Sequence, residues 1–223
     1  MSHDTPTHTA LQALLQFQTG TPVDGLPAYG ADRLAAELEL FPQWCVQREF
    51  GRHWEATEQA LWARICAHLV GSAQAQSRVA VREGQGAVAG PITCDIAALL
   101  RDGGLAENES AELDLVIRWW DAARRAGLPV EADFGECWRA LEWMGLHRHL
   151  MLLGQACQNR QEAAQSAAEN EAGGVAEMAH TARVATLLAA SSKVALRYAP
   201  LKPLLRLLQP LQGAPAVGAG YTF

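Results

Sequence analysis

Hydrophobic positions follow helical spacing over most of this chain. Leu34, Leu38 and Phe41 recur at i, i+4 and i+7, which predicts a helix over residues 32–41. Pro42 disfavours helical geometry at the preceding residue, so this helix is expected to end close to Phe41. The same reasoning predicts helices over residues 9–17, 54–75, 93–100, 108–126, 133–157 and 175–198, and a Leu-rich helix that Pro200 and Pro203 start and that runs through Leu208.

One short segment alternates between apolar and polar residues in the manner of a strand. It is Arg78–Arg82, with the sequence RVAVR. Gly84, Gly86, Gly90 and Pro91 then predict a loop rather than a second strand, which leaves the first strand without a hairpin partner. The predicted fold class is therefore mainly α with little β structure.

Capping residues mark several predicted helix ends. Asn108 is suited to an N-cap, and Gly127 stands where a left-handed residue commonly ends a helix. Asp133 precedes Glu136 by three residues, which is the spacing of a capping box with Asp in the capping role.

Charge and hydropathy exclude some classes of protein. The formal net charge is −6, so the chain has no excess of Lys and Arg with which to neutralise the phosphates of a nucleic acid. No apolar run approaches the length of a membrane span, and the polar start MSHDTPTHTA lacks the apolar region of a signal peptide. We therefore expect a cytoplasmic protein that binds neither nucleic acid nor a membrane.

The cysteines favour a reducing compartment. They are odd in number, widely spaced and contain no C-x-x-C pair, which indicates buried thiols rather than a disulfide framework or a zinc site. The five are Cys45, Cys66, Cys94, Cys137 and Cys157.

The length of 223 residues suits one domain. Within a single domain over residues 1–223, we expect a polar N-terminal tail at 1–8 and a Gly- and Ala-rich tail at 213–223. Residues 158–174 contain almost no large apolar side chain and are predicted to form a frayed helix or a mobile insert.

Several blocks resemble those of a known enzyme family in the same order. Gly90–Asp102 reads GPITCDIAALLRD and is similar to the GPITYD-I-x-S-L-L-R-D stretch of bacterial phosphotransferases. The blocks identify the chain as a member of the aminoglycoside-phosphotransferase type. Within it, they resemble the cell-wall-recycling kinases, which phosphorylate the anomeric hydroxyl of N-acetylmuramate and N-acetylglucosamine. Similar blocks are Glu37–Trp44 (ELELFPQW), Ile117–Trp120 (IRWW), Ala126–Val130 (AGLPV), Asp133–Glu136 (DFGE), Leu141–Leu150 (LEWMGLHRHL), Arg197–Leu208 (RYAPLKPLLRLL) and Gly220–Phe223 (GYTF).

This resemblance implies a protein-kinase-like C-terminal lobe, with ATP and Mg²⁺ as the family's cofactors. Phosphoryl transfer requires a cation at the phosphates, carboxylates for Mg²⁺ and a base for the acceptor hydroxyl. The family's N-terminal lobe has no counterpart here, the first lysine is Lys193, and no His-x-Asp of a catalytic loop occurs in the sequence. We therefore assign no catalytic residue and expect no cofactor for this chain alone.

Glu83 is the candidate metal ligand. Glu83-Gly-Gln-Gly86 looks like the family's D-F-Q-D with both acids altered, so Glu83 aligns with either the metal-binding Asp or the base. The simpler interpretation is a solvated acid in a glycine loop. Gly90, Pro91 and Asp95 lie in the block resembling GPITYD, and the resemblance implies a structural role for them. The substrate-binding residues are not identified.

His147 and His149 flank Arg148 on a predicted helix, so their side chains point to different faces. A metal pair is not expected there, and a surface or groove position is predicted instead.

Three hypotheses for function follow. The first is a truncated or degenerate sugar phosphotransferase that is inactive alone. The second is a non-catalytic interaction module, and the third is one half of a split amino-sugar kinase. We expect a homo-oligomer or a protein partner at the surface that the missing lobe leaves exposed. This surface is predicted around the segment before Phe41–Trp44 and the loop from Val79 to Pro91, whose apolar residues are Val79, Val81, Val88 and Ala89.

Overall fold

The computed structural model describes residues 4–102, 109–166 and 173–213, and helices dominate them. The prediction of a mainly α chain is confirmed. The α-helices are α1 (Asp4–Gly20), α2 (Ala31–Leu40), α3 (Ala56–Ala75), α4 (Cys94–Asp102), α5 (Glu109–Arg125), α6 (Phe134–Ser166), α7 (Gly173–Arg197) and α8 (Leu205–Leu208).

The Arg78–Glu83 strand, β1, has a hairpin partner, so the prediction of an unpaired strand is wrong. It pairs antiparallel with β2 (Gly86–Pro91), and Val81 lies opposite Val88. Two residues connect the strands, and Gly84 has φ +53°, a conformation that favours glycine. Because β2 is built from small residues, its sequence lacks the β-branched pattern by which a strand is recognised.

Predicted helix ends are confirmed where the structure describes them. The Asp133 Oδ1 atom accepts a hydrogen bond of 2.9 Å from the Glu136 N–H, as a capping box requires. Gly127 has φ +77°, and the Leu128 N–H donates to the Ala123 carbonyl over 3.0 Å across the end of α5. The predicted cap at Asn108 lies outside the described residues.

Helix α2 ends at Leu40, but the chain continues as a π-helix over Phe41–Glu49. Pro42 lies in the first turn of this π-helix. The Phe50 N–H donates to the Cys45 carbonyl over 3.1 Å, the i to i−5 spacing of a π-helix.

The contacts divide the chain into two compact units. The first comprises Met1–Arg33 and Val70–Gly145, and the second comprises Leu34–Leu69 and Leu146–Phe223. In the first unit Trp119 is fully buried, and the hairpin side chains Val79, Val81 and Val88 are also buried. The three valines that were predicted to contribute to an exposed apolar patch therefore lie in the core of this unit.

The second unit contains a cluster of aromatic rings. Phe41, Trp54 and Trp62 lie with ring centroids 5.4–6.1 Å apart, in tilted arrangements that aromatic pairs favour. The Trp62 Nε1–H donates to Glu39 over 3.2 Å, which satisfies the one polar group of that ring. His147 and His149 also belong to this unit and both are buried, so the prediction of a surface or groove position for them is wrong.

The polar segment predicted at 158–174 begins as ordered helix, because α6 extends through Ser166. Helix α7 begins at Gly173, and the residues between lie outside the described part of the chain. Helix α1 begins at Asp4, inside the predicted N-terminal tail, whereas residues 214–223 of the C-terminal tail are not described. Among the described residues, no helix is both long and apolar enough to cross a bilayer.

Candidate functional site

The hairpin of the first unit holds the candidate metal ligand Glu83 and the motif residues Gly90 and Pro91. Glu83 is the last residue of β1 and lies opposite Gly86 in the register. Because only Gly84 and Gln85 connect the strands, no further segment intervenes after Glu83. Gly90 and Pro91 end β2, and Asp95 lies in the first turn of α4.

The Glu83 carboxylate forms an ion pair with the Arg33 guanidinium, and both side chains are about two-fifths exposed. Arg33 also stacks over the ring of Tyr29, with its Cζ 4.7 Å from the centroid. The hydrogen bond from Arg33 lowers the pKa of Glu83 below its ordinary value, so the carboxylate is ionised at neutral pH. A cationic side chain therefore already occupies the position beside this acid.

Asp95 joins α4 to β1. Its two carboxylate oxygens accept from the Arg82 backbone N–H over 3.2 and 3.1 Å. The Arg82 side chain reaches α1, where it donates to the Ala13 carbonyl over 3.1 Å and lies 4.8 Å from the centroid of the Phe17 ring. Asp95 thus contacts the backbone of the strand that carries Glu83.

Gly90 is a position of close approach. A Cβ atom there would lie 2.8 Å from Val81 Cγ2 and 3.2 Å from Tyr29 Cδ1, which is too close for a side chain without rearrangement. Pro91 is buried beside it and lies opposite Arg78 in the register. The glycine therefore allows the segment before α2 to pack against the hairpin.

The geometry around Glu83 does not fit an ion such as Mg²⁺. Mg²⁺ bound to proteins prefers carboxylate oxygens together with water or substrate phosphates. In the part of the chain that the structure describes, Glu83 belongs to no group of three or more His, Cys, Asp or Glu ligand atoms. We therefore derive no catalytic step through a metal ion at this acid.

A second cluster, in the second unit, was not found by the sequence reasoning. Glu49, at the end of the π-helix, has one ligand atom within 4.8 Å of those of Cys157 on α6 and His180 on α7. Glu49 is 1% exposed and forms an ion pair of 2.8 Å with Arg160. The residues are 108 and 23 positions apart along the chain, so no local motif joins them.

Comparison with known proteins identifies relatives of this chain. No family model matches it. It is 33% identical, over 96% of its own length, to an N-acetylmuramate/N-acetylglucosamine kinase of Neisseria meningitidis. It is 35% identical, over 65% of its length, to proteins of the same name from Pseudomonas putida and Pseudomonas aeruginosa. The chain spans 66% of the length of the Neisseria protein and 48% of the length of each Pseudomonas protein.

Proposed function

We propose that the chain is a member of the family of the N-acetylmuramate/N-acetylglucosamine kinases, to which it is similar, and that it does not transfer phosphate from ATP by itself. The observation that carries this proposal is the two-residue connection between Glu83 and Gly86. The resemblance implies that active members place a catalytic loop and a metal-binding acid in this region. Here a tight turn takes their place.

The electrostatics of the hairpin support the proposal. Phosphoryl transfer depends on metal ions that neutralise the charge developing on the phosphate oxygens. The Glu83 carboxylate faces the Arg33 guanidinium instead, and Gly86 offers no second carboxylate. A metal ion at Glu83 would have to displace Arg33 and would gain one protein ligand.

The length of the alignment is consistent with an internal deletion. The match to the Neisseria protein extends over 232 positions, whereas 96% of this 223-residue chain is about 214 residues. About 18 aligned positions of that relative therefore have no counterpart in this chain. A missing catalytic loop would account for part of this difference.

The direct test is an assay of the purified chain with ATP, Mg²⁺ and either N-acetylmuramate or N-acetylglucosamine. ADP release is expected to equal that of a Glu83→Ala variant, with a relative of the same family as the positive control. Sugar-dependent ADP release that exceeds the Glu83→Ala background would contradict the proposal. An Arg33→Gln variant serves as a second comparison, since it frees Glu83 without removing it.

An interaction role is the second candidate, and the exposed apolar side chains of α7 favour it. Val175 and Met178 are 75% and 67% exposed, and their three-residue spacing places them side by side on the helix. A surface of this kind is typical of contacts with a second copy or a protein partner. Sedimentation velocity is expected to show self-association that a Met178→Glu variant weakens. A monomer at high micromolar concentration for both proteins would exclude self-association through α7.

The cysteines support a reducing, cytoplasmic location for this function. All five are free thiols, and Cys45, Cys137 and Cys157 are buried. Burial raises the pKa of the Cys137 thiol to about 12, so it stays protonated at neutral pH. Buried, protonated thiols are typical of proteins that do not depend on disulfides.

A further inference from the structure

The second unit brings together three types of metal-ligating atom. They are a carboxylate oxygen of Glu49, the sulfur of Cys157 and a ring nitrogen of His180, all within 4.8 Å of one another. Each side chain comes from a different helix, so their convergence is a product of tertiary packing. Glu49 and Cys157 are buried, and His180 is half-buried.

We propose that Glu49, Cys157 and His180 form a binding site for Zn²⁺. Thiolate, imidazole and carboxylate are the ligands that Zn²⁺ takes in proteins, with bonds of about 2.0–2.3 Å. The combination of one soft sulfur with one imidazole favours Zn²⁺ over Mg²⁺ or Ca²⁺, which prefer oxygen ligands alone. All three residues belong to the second unit.

The two oxygens of Glu49 have different partners. Oε2 accepts from Arg160 Nη2 over 2.8 Å and from Arg160 Nε over 3.1 Å. Oε1 lies 3.1 Å from His180 Nε2. Arg160 therefore holds the carboxylate in one orientation and leaves Oε1 directed at the imidazole. Hydrogen-bonding groups that contact a metal ligand, but not the metal itself, commonly orient the ligand in this way.

The distance between Oε1 and Nε2 suits an ion between them. Two ligand atoms in a tetrahedral shell with bonds near 2.0–2.1 Å are separated by about 3.3–3.4 Å. The observed distance of 3.1 Å between Glu49 Oε1 and His180 Nε2 would have to lengthen only slightly to admit the ion. The ion would replace one hydrogen bond with two coordinate bonds, and the Cys157 sulfur would supply the third.

The charges of the buried groups balance when the ion is present. The Cys157 thiol loses its proton to solvent on binding, so the thiolate and the Glu49 carboxylate together neutralise Zn²⁺, while His180 binds as the neutral imidazole. Arg160 is left paired with Glu177, whose carboxylate it contacts at 3.1 Å. A neutral sum matters here, because an unbalanced charge in a buried site carries a desolvation cost.

Cys45 lies beside the sulfur of Cys157 and hydrogen-bonds with it, and this contact together with burial raises the pKa of the Cys45 thiol. Cys45 is not one of the three residues whose ligand atoms converge. The three-ligand set leaves a fourth position for a solvent molecule, which can enter past the partly exposed Arg160 and His180 side chains.

The test is a titration of the full chain, purified without a polyhistidine tag and stripped of metal with a chelator. One equivalent of Co²⁺ is expected to produce a thiolate-to-cobalt charge-transfer band, and Zn²⁺ is expected to abolish it. Cys157→Ser and His180→Gln are each expected to weaken binding by at least about tenfold. Cys137→Ser, which alters a buried thiol of the first unit, is the matched control and is expected to retain the band.

Two outcomes would overturn the proposal. One is the absence of a charge-transfer band in the folded wild-type chain, which would show that the cluster is an ion-pair network only. The other is an equally strong band in Cys157→Ser, which would place the ion elsewhere. If Cys157→Ser does not fold, His180→Gln decides the matter because its side chain is partly exposed, and equal stabilisation of this variant and the wild type by Zn²⁺ would also overturn the proposal.

Discussion

Arg160 donates from Nη2 to the buried carboxylate of Glu49 over 2.8 Å, and from Nη1 to Glu177 over 3.1 Å. The Glu49 side chain is 2% exposed, whereas those of Arg160 and Glu177 are 22% and 47% exposed. Glu49 therefore depends on Arg160 for charge compensation more than Arg160 depends on Glu49. A buried charge that loses its partner is destabilising, but a partly exposed charge with a second partner is not left isolated.

This asymmetry predicts unequal effects of substitution. Arg160→Met is expected to lower the free energy of unfolding by about 3 kcal/mol, because it leaves the Glu49 carboxylate without its cation. Glu49→Gln is expected to cost about 1 kcal/mol, because Arg160 keeps Glu177. Urea denaturation with a chelator present measures both without any contribution from bound metal.

Arg139 provides the control for these two variants. It pairs with Glu136 in the first unit, and both side chains are more than half exposed. Arg139→Met is expected to change the free energy of unfolding by less than about 0.5 kcal/mol. Equal costs for Arg160→Met and Glu49→Gln would contradict the asymmetry.

The close packing at Gly154 on α6 leads us to expect that a single added methyl group strongly destabilises the protein. An added Cβ atom would lie 2.5 Å from the backbone carbonyl oxygen of Leu40, and a backbone atom cannot move aside as a flexible side chain can. Gly154→Ala is expected to lower the free energy of unfolding by about 2–3 kcal/mol, at the upper part of the range for overpacked sites.

Gly71 on α3 is the matched substitution, since a Cβ atom there meets nothing within 4 Å. Gly71→Ala is expected to raise the stability by about 0.5–1 kcal/mol through helix propensity alone. Thermal unfolding of both variants beside the wild type measures the contrast. The packing argument fails if the two substitutions shift the melting temperature in the same direction.

His147 predicts a dependence of stability on pH. Burial lowers its pKa below the ordinary value of 6.5, and the nearby Arg148 acts in the same direction. The Leu34 carbonyl accepts from Nε2–H over 3.0 Å, and Glu37 lies 3.9 Å away; both act in the opposite direction, but burial dominates. The folded protein therefore holds this imidazole neutral.

The sign of the pH dependence follows from proton binding in the two states. The unfolded chain takes up a proton near pH 6.5, whereas folded His147 takes it up at lower pH. Stability is therefore full above pH 6.5 and falls as the pH decreases below it, by up to about 1.4 kcal/mol per pH unit. His147→Gln, which can still donate to Leu34, is expected to make this decline shallower.

Chemical denaturation between pH 5 and 8 measures the decline. The exposed His53 provides the control, since His53→Gln is expected to leave the slope of the wild type unchanged. A wild-type slope retained in His147→Gln would mean that another group titrates.

The second strand shows why part of the fold was not predictable. Its residues Gly86–Pro91 are small and carry no alternating pattern, so they resemble a loop when considered alone. Pairing becomes favourable because Gly84 permits a tight turn and the residues before Arg33 add contacts at the other edge, where the Tyr29 N–H donates to the Ala89 carbonyl over 2.9 Å. That contact joins residues sixty positions apart, which no local pattern reports.

The surroundings of Glu83 were predictable only in part, because some depend on neighbouring residues and others on distant segments. The RVAVR alternation and the glycines after it predicted Glu83 directly after the strand, in a loop, whereas the structure makes it the last residue of β1. Its ion pair with Arg33 was not predictable, because the two residues are fifty positions apart. The charges next to a candidate metal ligand are therefore known only once the structure shows which distant segments of the chain pack beside it.

The sequence by itself determined the helical content, the capped ends at Gly127 and Asp133, the first strand and the resemblance to amino-sugar kinases. These properties depend on residues within a few positions of one another, or on blocks that keep their order along the chain. Only the tertiary structure decided that β1 is paired, that His147 is buried and that Glu49, Cys157 and His180 converge. Those relationships depend on which distant segments pack together, because burial and charge pairing arise from the neighbours that folding brings into contact.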